Sequence, residues 1–385
     1  MKSVLSALWV TWLLAPGLNA QQATRTEPVA AMRDNGTGYH ALVGATIVIR
    51  DGLIQSVGRN QPAPAGARVW DLTGHTVYPG FIDAHADLGM NSGPEGGDVG
   101  PTHWNPQVRA WFSTTANLQD DEDRRQAVRS QGFGAALVVP KLGIFRGMAS
   151  VVNLGDAGVR DRVLRPDLAQ SIGFQRSGEL GTEDDRYPNS AMGVIALMKQ
   201  TFMDADWYER AWNTYEESGR AFLPPETSGA LEALEDAIHG RQPVLFETRS
   251  EEEYLRGYKV ASDFGLTPWF RGSGEEYRIV DVLQGRADPL ILPVNFPDAP
   301  DVDDPEAALN ASLAELRHWY LAPASPATLA DAGVDFAFTT DGLSSVNDFL
   351  PNVRTAVARG LSTDVALAAL TTTPARWLGI DRTHG

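Results

Sequence analysis

Apolar and polar residues alternate along Ala45–Arg50 (ATIVIR), Asp51-Gly52 is a hairpin signal, and Leu53–Val57 (LIQSV) resumes the alternation. Pro62–Gly66 reads as a loop, and Val69–Leu72 and Thr76–Tyr78 have strand character. After the Pro79-Gly80 turn, Phe81–Ala86 (FIDAHA) enters a new strand. The pattern then changes. Gly134–Pro140 (GAALVVP) is a continuous apolar run, as a strand covered on both faces requires. Met192, Ile195, Met198, Phe202 and Ala205 recur at helical spacing. A helix is expected over Gly229–His239, a strand over Pro243–Phe246, and a helix over Glu251–Phe264 with Gly265 as its C′ residue. Strands follow at Leu290–Val294 and Val334–Thr339, and helices at Asn352–Arg359 and Asp364–Leu370. Asp298–Asp304 is an acidic loop. Strands alternating with helices predict an α/β protein with a parallel sheet. The length of the alternating region, and the absence of a GxGxxG after the first buried strand, favour a closed (β/α)8 TIM-like barrel over a doubly wound sheet.

Residues 1–20 break this pattern. One Lys precedes an apolar run from Val4 to Leu14, and a small-residue stretch ends at Ala20. The run is too short to span a bilayer and reads as a secretory signal peptide. The expected destination is the periplasm or the exterior, with no membrane attachment after cleavage. Residues 21–78 then read as a β-rich part, the β-sandwich of the resemblance described below, and 79–385 as the barrel. Among 385 residues, 43% are hydrophobic and 21% charged, which suits a globular protein. A net charge of −17 speaks against a nucleic-acid partner, since phosphate backbones need clustered Lys and Arg. The chain has no cysteine, which removes thiolate zinc sites and cysteine nucleophiles.

Thr76–Asp87 reads TVYPGFIDAHAD, and a β-rich start followed by PGFID-x-H resembles the amidohydrolase superfamily. Asp51–Gly58, Asp71–Gly74, Val334–Gly342 (VDFAFTTDG) and Ala368–Gly379 extend the likeness. The stretches 132–147 and 190–208 resemble secreted imidazolonepropionase-like members. The resemblance implies a composite β-sandwich beside a metal-dependent barrel. Its usual return to the sandwich would begin where this chain stops, at His384-Gly385. The N-terminal β-sandwich is therefore expected to look incomplete, with exposed strand edges.

The resemblance also implies a chemistry. In the superfamily one or two divalent metals lower the pKa of a bound water to about 7, and the hydroxide attacks an amide or ester carbon. The first barrel strand brings His-x-His, middle strands two more His, and the last strand an Asp that is ligand and general base. Here the first motif is His85-Ala86-Asp87, with Asp in the second place. Carboxylate oxygen also binds Zn²⁺ or Mn²⁺, so His85, Asp87 and Asp341 are the candidate ligands of one divalent ion or none, with Asp341 as the catalytic group. Residues i and i+2 of a strand share a face, so these three side chains are expected within about 8 Å of one another. Asp83 reads as structural, at best an oriented carboxylate behind the site. Glu247 or Thr248 stands where a middle-strand His is usual, and Gly265–Gly274 holds no His. His103 lies in the loop after the first strand. Lys141, Arg146, Glu247 and Arg249 are candidate rim or substrate contacts.

Two functions follow from the resemblance. One is an exported hydrolase of C–N bonds in small cyclic or dipeptide-like amides, with a reduced metal site. The other is a non-catalytic barrel kept as a binding or assembly module; in either case a homo-oligomer is a candidate assembly. A metal-independent glycosidase pairing Glu247 with Asp341 is a third possibility.

Overall fold

A computed structural model describes residues 30–34, 39–50, 52–90, 103–175 and 187–384. The expected signal segment 1–20 and the turn residue Asp51 lie outside them. The barrel sheet has eight strands. These are β6 (Phe81–Ala86), β7 (Phe133–Val138), β8 (Phe145–Asn153), β9 (Val163–Gly173), β10 (Val244–Glu247), β11 (Pro268–Arg271), β12 (Leu290–Pro293) and β13 (Phe336–Thr339), hydrogen-bonded in chain order. The two ends of that order, β6 and β13, meet through side chains. Thr339 Oγ1 donates to the His85 carbonyl, and Thr340 donates to Asp83 from its backbone N–H and from Oγ1 (2.5 Å). The barrel therefore closes with its first and last strands as neighbours.

The sheet is mixed rather than all-parallel. β8 runs antiparallel to both β7 and β9, whereas the other pairings are parallel. The link between β7 and β8 covers only residues 139–144, while a parallel crossover needs a dozen or more. Gly143, at φ 97°, supplies the turn instead, and the chain returns as a hairpin.

Inside the barrel, Ile82, Ala84, Leu137, Val151, Leu245 and Trp269 form one apolar cluster, joined by Leu378 and Ile380 from the last helix and its end. A larger cluster lies between strands and outer helices. The helices are cut as the capping residues dictate. Ser190 accepts from Gly193 N to start Ala191–Glu217, and Ser250 accepts from Glu253 N to start Glu251–Phe264. The latter ends at Gly265 in the left-handed region, as expected. The expected single helix over Gly229–His239 is instead two, Gly229–Glu232 and Glu235–Ile238. At the break the buried Gln170 amide donates to the Ala233 carbonyl, drawing it away from the helical ladder.

Before the barrel, β1 (Ala30–Asp34), β2 (Tyr39–Val43) and β5 (Thr76–Val77) form a three-stranded sheet, and among the described residues β3 (Ala45–Arg50) pairs only with β4 (Leu53–Arg59). The strand expected at Val69–Leu72 is irregular and exposed. Asp71 instead accepts from the Thr73 N–H and hydroxyl, a local turn that competes with a ladder.

Candidate active site

The C-terminal ends of the barrel strands carry a polar cluster, on the face where barrel active sites lie. His85, near the end of β6, is fully buried. Its Nε2 is 3.0 Å from Glu247 Oε1, and its Nδ1 is 3.8 Å from Asp341 Oδ2. Neither nitrogen makes a hydrogen bond of good direction, so these are ionic contacts rather than oriented ones. The imidazole is thus clamped edge to edge between two carboxylates, one across the barrel on β10 and one beyond β13.

Cations close on those carboxylates from outside. Arg146, on β8 and 2% exposed, meets Glu247 Oε1 through Nη1. Its Nη2 donates to Gln175 Oε1 (2.9 Å) and its Nε to the Gly143 carbonyl (3.3 Å). β9 ends beside it at Gly173, where a Cβ would stand 2.2 Å from Arg146 Nη2; glycine leaves the room the guanidinium needs. Asp341 has both oxygens engaged, Oδ1 by Lys141 Nζ (2.6 Å) and Oδ2 by Arg271 Nη2 (2.6 Å). Its backbone N–H donates to Thr339 Oγ1 (3.0 Å), which fixes the turn after β13.

Charge and burial set the proton affinities. Burial would raise the Glu247 carboxyl, but the charges of Arg146, His85 and Lys141 overcome it and hold the group well below the usual carboxylate range. Asp341 follows the same rule: burial pushes upward, and His85, Arg271 and Lys141 pull it well down. Asp83 goes the other way. It is wholly buried, and burial raises it to about 6 although Thr340 and the His85 N–H donate to it.

Asp87 stands apart from the cluster. β6 ends at Ala86, so Asp87 has left the strand alternation, and its carboxylate pairs with Arg124 on the helix Glu122–Ser130. The register of β6 on β7 also slips between Phe81 and Ile82 and again between Asp83 and Ala86, which re-aims side chains relative to a strict two-residue alternation. The expected meeting of His85, Asp87 and Asp341 is therefore replaced by His85, Glu247 and Asp341. Arg249 lies just beyond β10, bonded to Glu253 (3.0 Å) and to the Phe174 carbonyl (3.4 Å). His103 accepts from the Asn105 N–H and packs on Trp104, outside the cluster. Arg271 was missed by sequence reasoning. It ends β11 in a stretch inspected only for His, and a lone Arg at a strand end was the available signal.

The donor set does not fit a metal ion. A catalytic zinc takes three protein ligands around one point. Here the two carboxylates lie at opposite nitrogens of a single imidazole, so an ion at either nitrogen would meet only one of them. Among the described residues no group of three or more His, Cys, Asp or Glu could hold a metal.

Beside Asp341 a cavity of about 360 Å³ opens between the β6–β13 seam and the helix Glu122–Ser130. Asp87, Arg124, Thr340, Asp341 and Ser344 line it. That volume is of the size that holds small-molecule ligands.

No family model matches the chain. Over 94 residues it is 33% identical to an imidazolonepropionase of Salinispora arenicola, covering 23% of this chain and 24% of the relative. Over 74 residues it is 40% identical to an imidazolonepropionase of Chromobacterium violaceum, covering 18% of this chain and 16% of the relative. The matches thus span a quarter or less of these relatives' length. Among solved structures, an amidohydrolase from Thermotoga maritima superposes with a TM-score of 0.70 at 21% identity, covering 87% of this chain and 84% of that one. A Xaa-Pro dipeptidase with bound methionine superposes at 0.53 and 14% identity, covering 93% and 90%.

Proposed function

The chain carries the barrel fold of the amidohydrolase superfamily, and from that premise we propose that it hydrolyses a C–N bond in a small amide at the mouth of the barrel. The observation that carries this reading is the meeting of His85, Glu247 and Asp341 at the C-terminal strand ends, next to a ligand-sized cavity. Strongly shifted carboxyl groups gathered in one place support it, since active sites are where such shifts cluster. The local likeness to imidazolonepropionases and the shared fold with a dipeptidase support the substrate class, a cyclic or dipeptide-like amide. In this reading Asp341 faces the cavity and holds water, using lone pairs that Lys141 and Arg271 leave free, while Lys141 offers positive charge to a carbonyl oxygen. The export reading of residues 1–20 places the activity in the periplasm or outside the cell.

A second reading has its own observation. With both oxygens of Asp341 ion-paired, its lowered pKa makes it a weak base, which suits binding without turnover. One experiment separates the two. The protein is incubated with N-acyl amino acids, dipeptides and cyclic amides, with products read by mass spectrometry and binding by thermal shift. Hydrolysis that falls on the order of 100-fold in Asp341→Asn establishes the first reading. Thermal shifts without any product establish the second, and neither signal with any amide removes both.

A further inference from the structure

We propose that Arg146, Arg271 and Lys141 take the place of a metal as the counter-charge of the barrel mouth, so that the mouth is closed to divalent cations. The inference concerns the same site as the proposed hydrolysis but rests on its ion pairs alone.

The geometry points three cationic side chains at two carboxylates. Glu247 Oε1, the oxygen nearest His85, is the oxygen that Arg146 Nη1 covers. Asp341 Oδ2, the oxygen on the His85 side, is covered by Arg271, and Lys141 holds Oδ1. A divalent ion beside His85 would have to displace a guanidinium from Glu247 Oε1 or from Asp341 Oδ2. Arg146 is anchored against that displacement. It is buried, bonded to Gln175 and to the Gly143 carbonyl, and seated against Gly173. Arg271 is anchored too, through the carbonyls of Gly272 (2.9 Å) and Asp341 (3.3 Å). Guanidinium is less strongly hydrated than ammonium and suits buried pairing with carboxylate, which fits the two Arg at the inner positions and the Lys at the more open rim. The third carboxyl group, Asp83, faces hydroxyl and backbone donors instead and adds no free ligand.

The test uses the whole chain purified without chelator. Elemental analysis before and after dialysis against Zn²⁺ or Mn²⁺ should find fewer than about 0.1 ion per chain at the mouth, and EDTA should leave the melting temperature unchanged. About one ion per chain that disappears in His85→Ala, with the variant still folded by circular dichroism, would overturn the inference. Glu247→Gln keeps the side-chain shape and gives the same reading should His85→Ala fail to fold. An ion that persists in both variants is bound elsewhere and leaves the inference intact. The outcomes also separate this inference from the enzymatic reading. A metal-free protein that turns over no amide sinks hydrolysis and leaves the ion-pair mouth standing, whereas a His85-dependent ion with amide turnover does the reverse.

Discussion

The two walls of the barrel mouth are built on different terms. The seam wall, where β6 meets β13, carries Asp83, His85, Thr339, Thr340 and Asp341, tied to one another by short hydrogen bonds over small distances. The opposite wall, from β7 to β11, carries Lys141, Arg146, Glu247 and Arg271; Lys141, Glu247 and Arg271 reach to the seam, and Arg146 braces Glu247 within its own wall. The difference is one of kind: one wall holds itself together by hydrogen bonds, and the other supplies the counter-charges.

The hardest blow to this arrangement is to remove a buried counter-charge from the opposite wall. Arg146→Met leaves the largely buried Glu247 with His85 as its one remaining close partner. Breaking a buried pair in this way costs about 3–5 kcal/mol, because one charge stays in the interior without a partner. The loss should appear as a lower urea midpoint. The double variant Arg146→Met with Glu247→Leu should recover most of it, since an apolar pair of similar volume needs no counter-charge. A single variant that costs under about 1 kcal/mol would mean that Arg146 is not the partner that holds Glu247.

The buried carboxyl groups should also answer pH in opposite senses, Asp83 against its seam neighbour Asp341 and against Glu247. Asp83 is raised in the folded state to about 6 from an ordinary Asp value of about 3.9. Such a group favours the folded state below its unfolded pKa, and its penalty grows as pH rises to the folded value. Glu247 and Asp341 are lowered, so they contribute stability above the ordinary carboxylate range and lose it as pH falls through their folded values. Compared with Asp83→Asn, the unaltered protein should therefore lose roughly 3 kcal/mol of relative stability between about pH 4 and pH 6. Denaturant midpoints across that window check it. Parallel curves for the two proteins would show that Asp83 does not titrate as its burial dictates.

The seam was legible in the sequence because local patterns carry it. PGFIDAHAD and VDFAFTTDG lie at strand ends whose apolar runs are unmistakable, and the closing of a barrel makes the first and last strands neighbours. The opposite wall was only half legible. Glu247 and Arg146 stood out as rim candidates, but a contact between β8 and β10, two strands apart in the sheet, leaves no local trace, and Arg271 left only a lone Arg at a strand end. The antiparallel course of β8 was hidden for a related reason: apolar runs buried on both faces look the same in either direction. Asp87 misled because strand alternation was extended one residue past the end of β6, where the chain had already turned toward Arg124.

Smaller effects sharpen the contrast at the rim. Lys141 is about one-third exposed, and its pair with Asp341 competes with water. Lys141→Met should cost no more than about 1 kcal/mol, the usual scale for a partly solvated ion pair, because Arg271 still holds the other oxygen of Asp341. If Lys141 instead faces a substrate carbonyl, the same variant should depress amide turnover far more than it depresses the urea midpoint. Equal losses in both would make it a purely structural partner.

Asp87 should matter least, and that is the cleanest way to fix where the mouth ends. Its carboxylate is more than a third exposed, and its partner Arg124 is more exposed still. A pair so open to solvent contributes about 0–1 kcal/mol, so Asp87→Ala should shift the urea midpoint scarcely at all. The side on which it pairs is the more telling point. Arg124 draws it toward the outer helix, whereas His85 and Asp341 face inward to Glu247 and the two Arg. Amide turnover and metal content should therefore be unchanged in Asp87→Ala, and thermal shifts with bound amides should change only for ligands large enough to reach the far side of the cavity. A collapse of turnover with the fold intact would move Asp87 into the site, and the seam wall would then extend one residue beyond β6 after all.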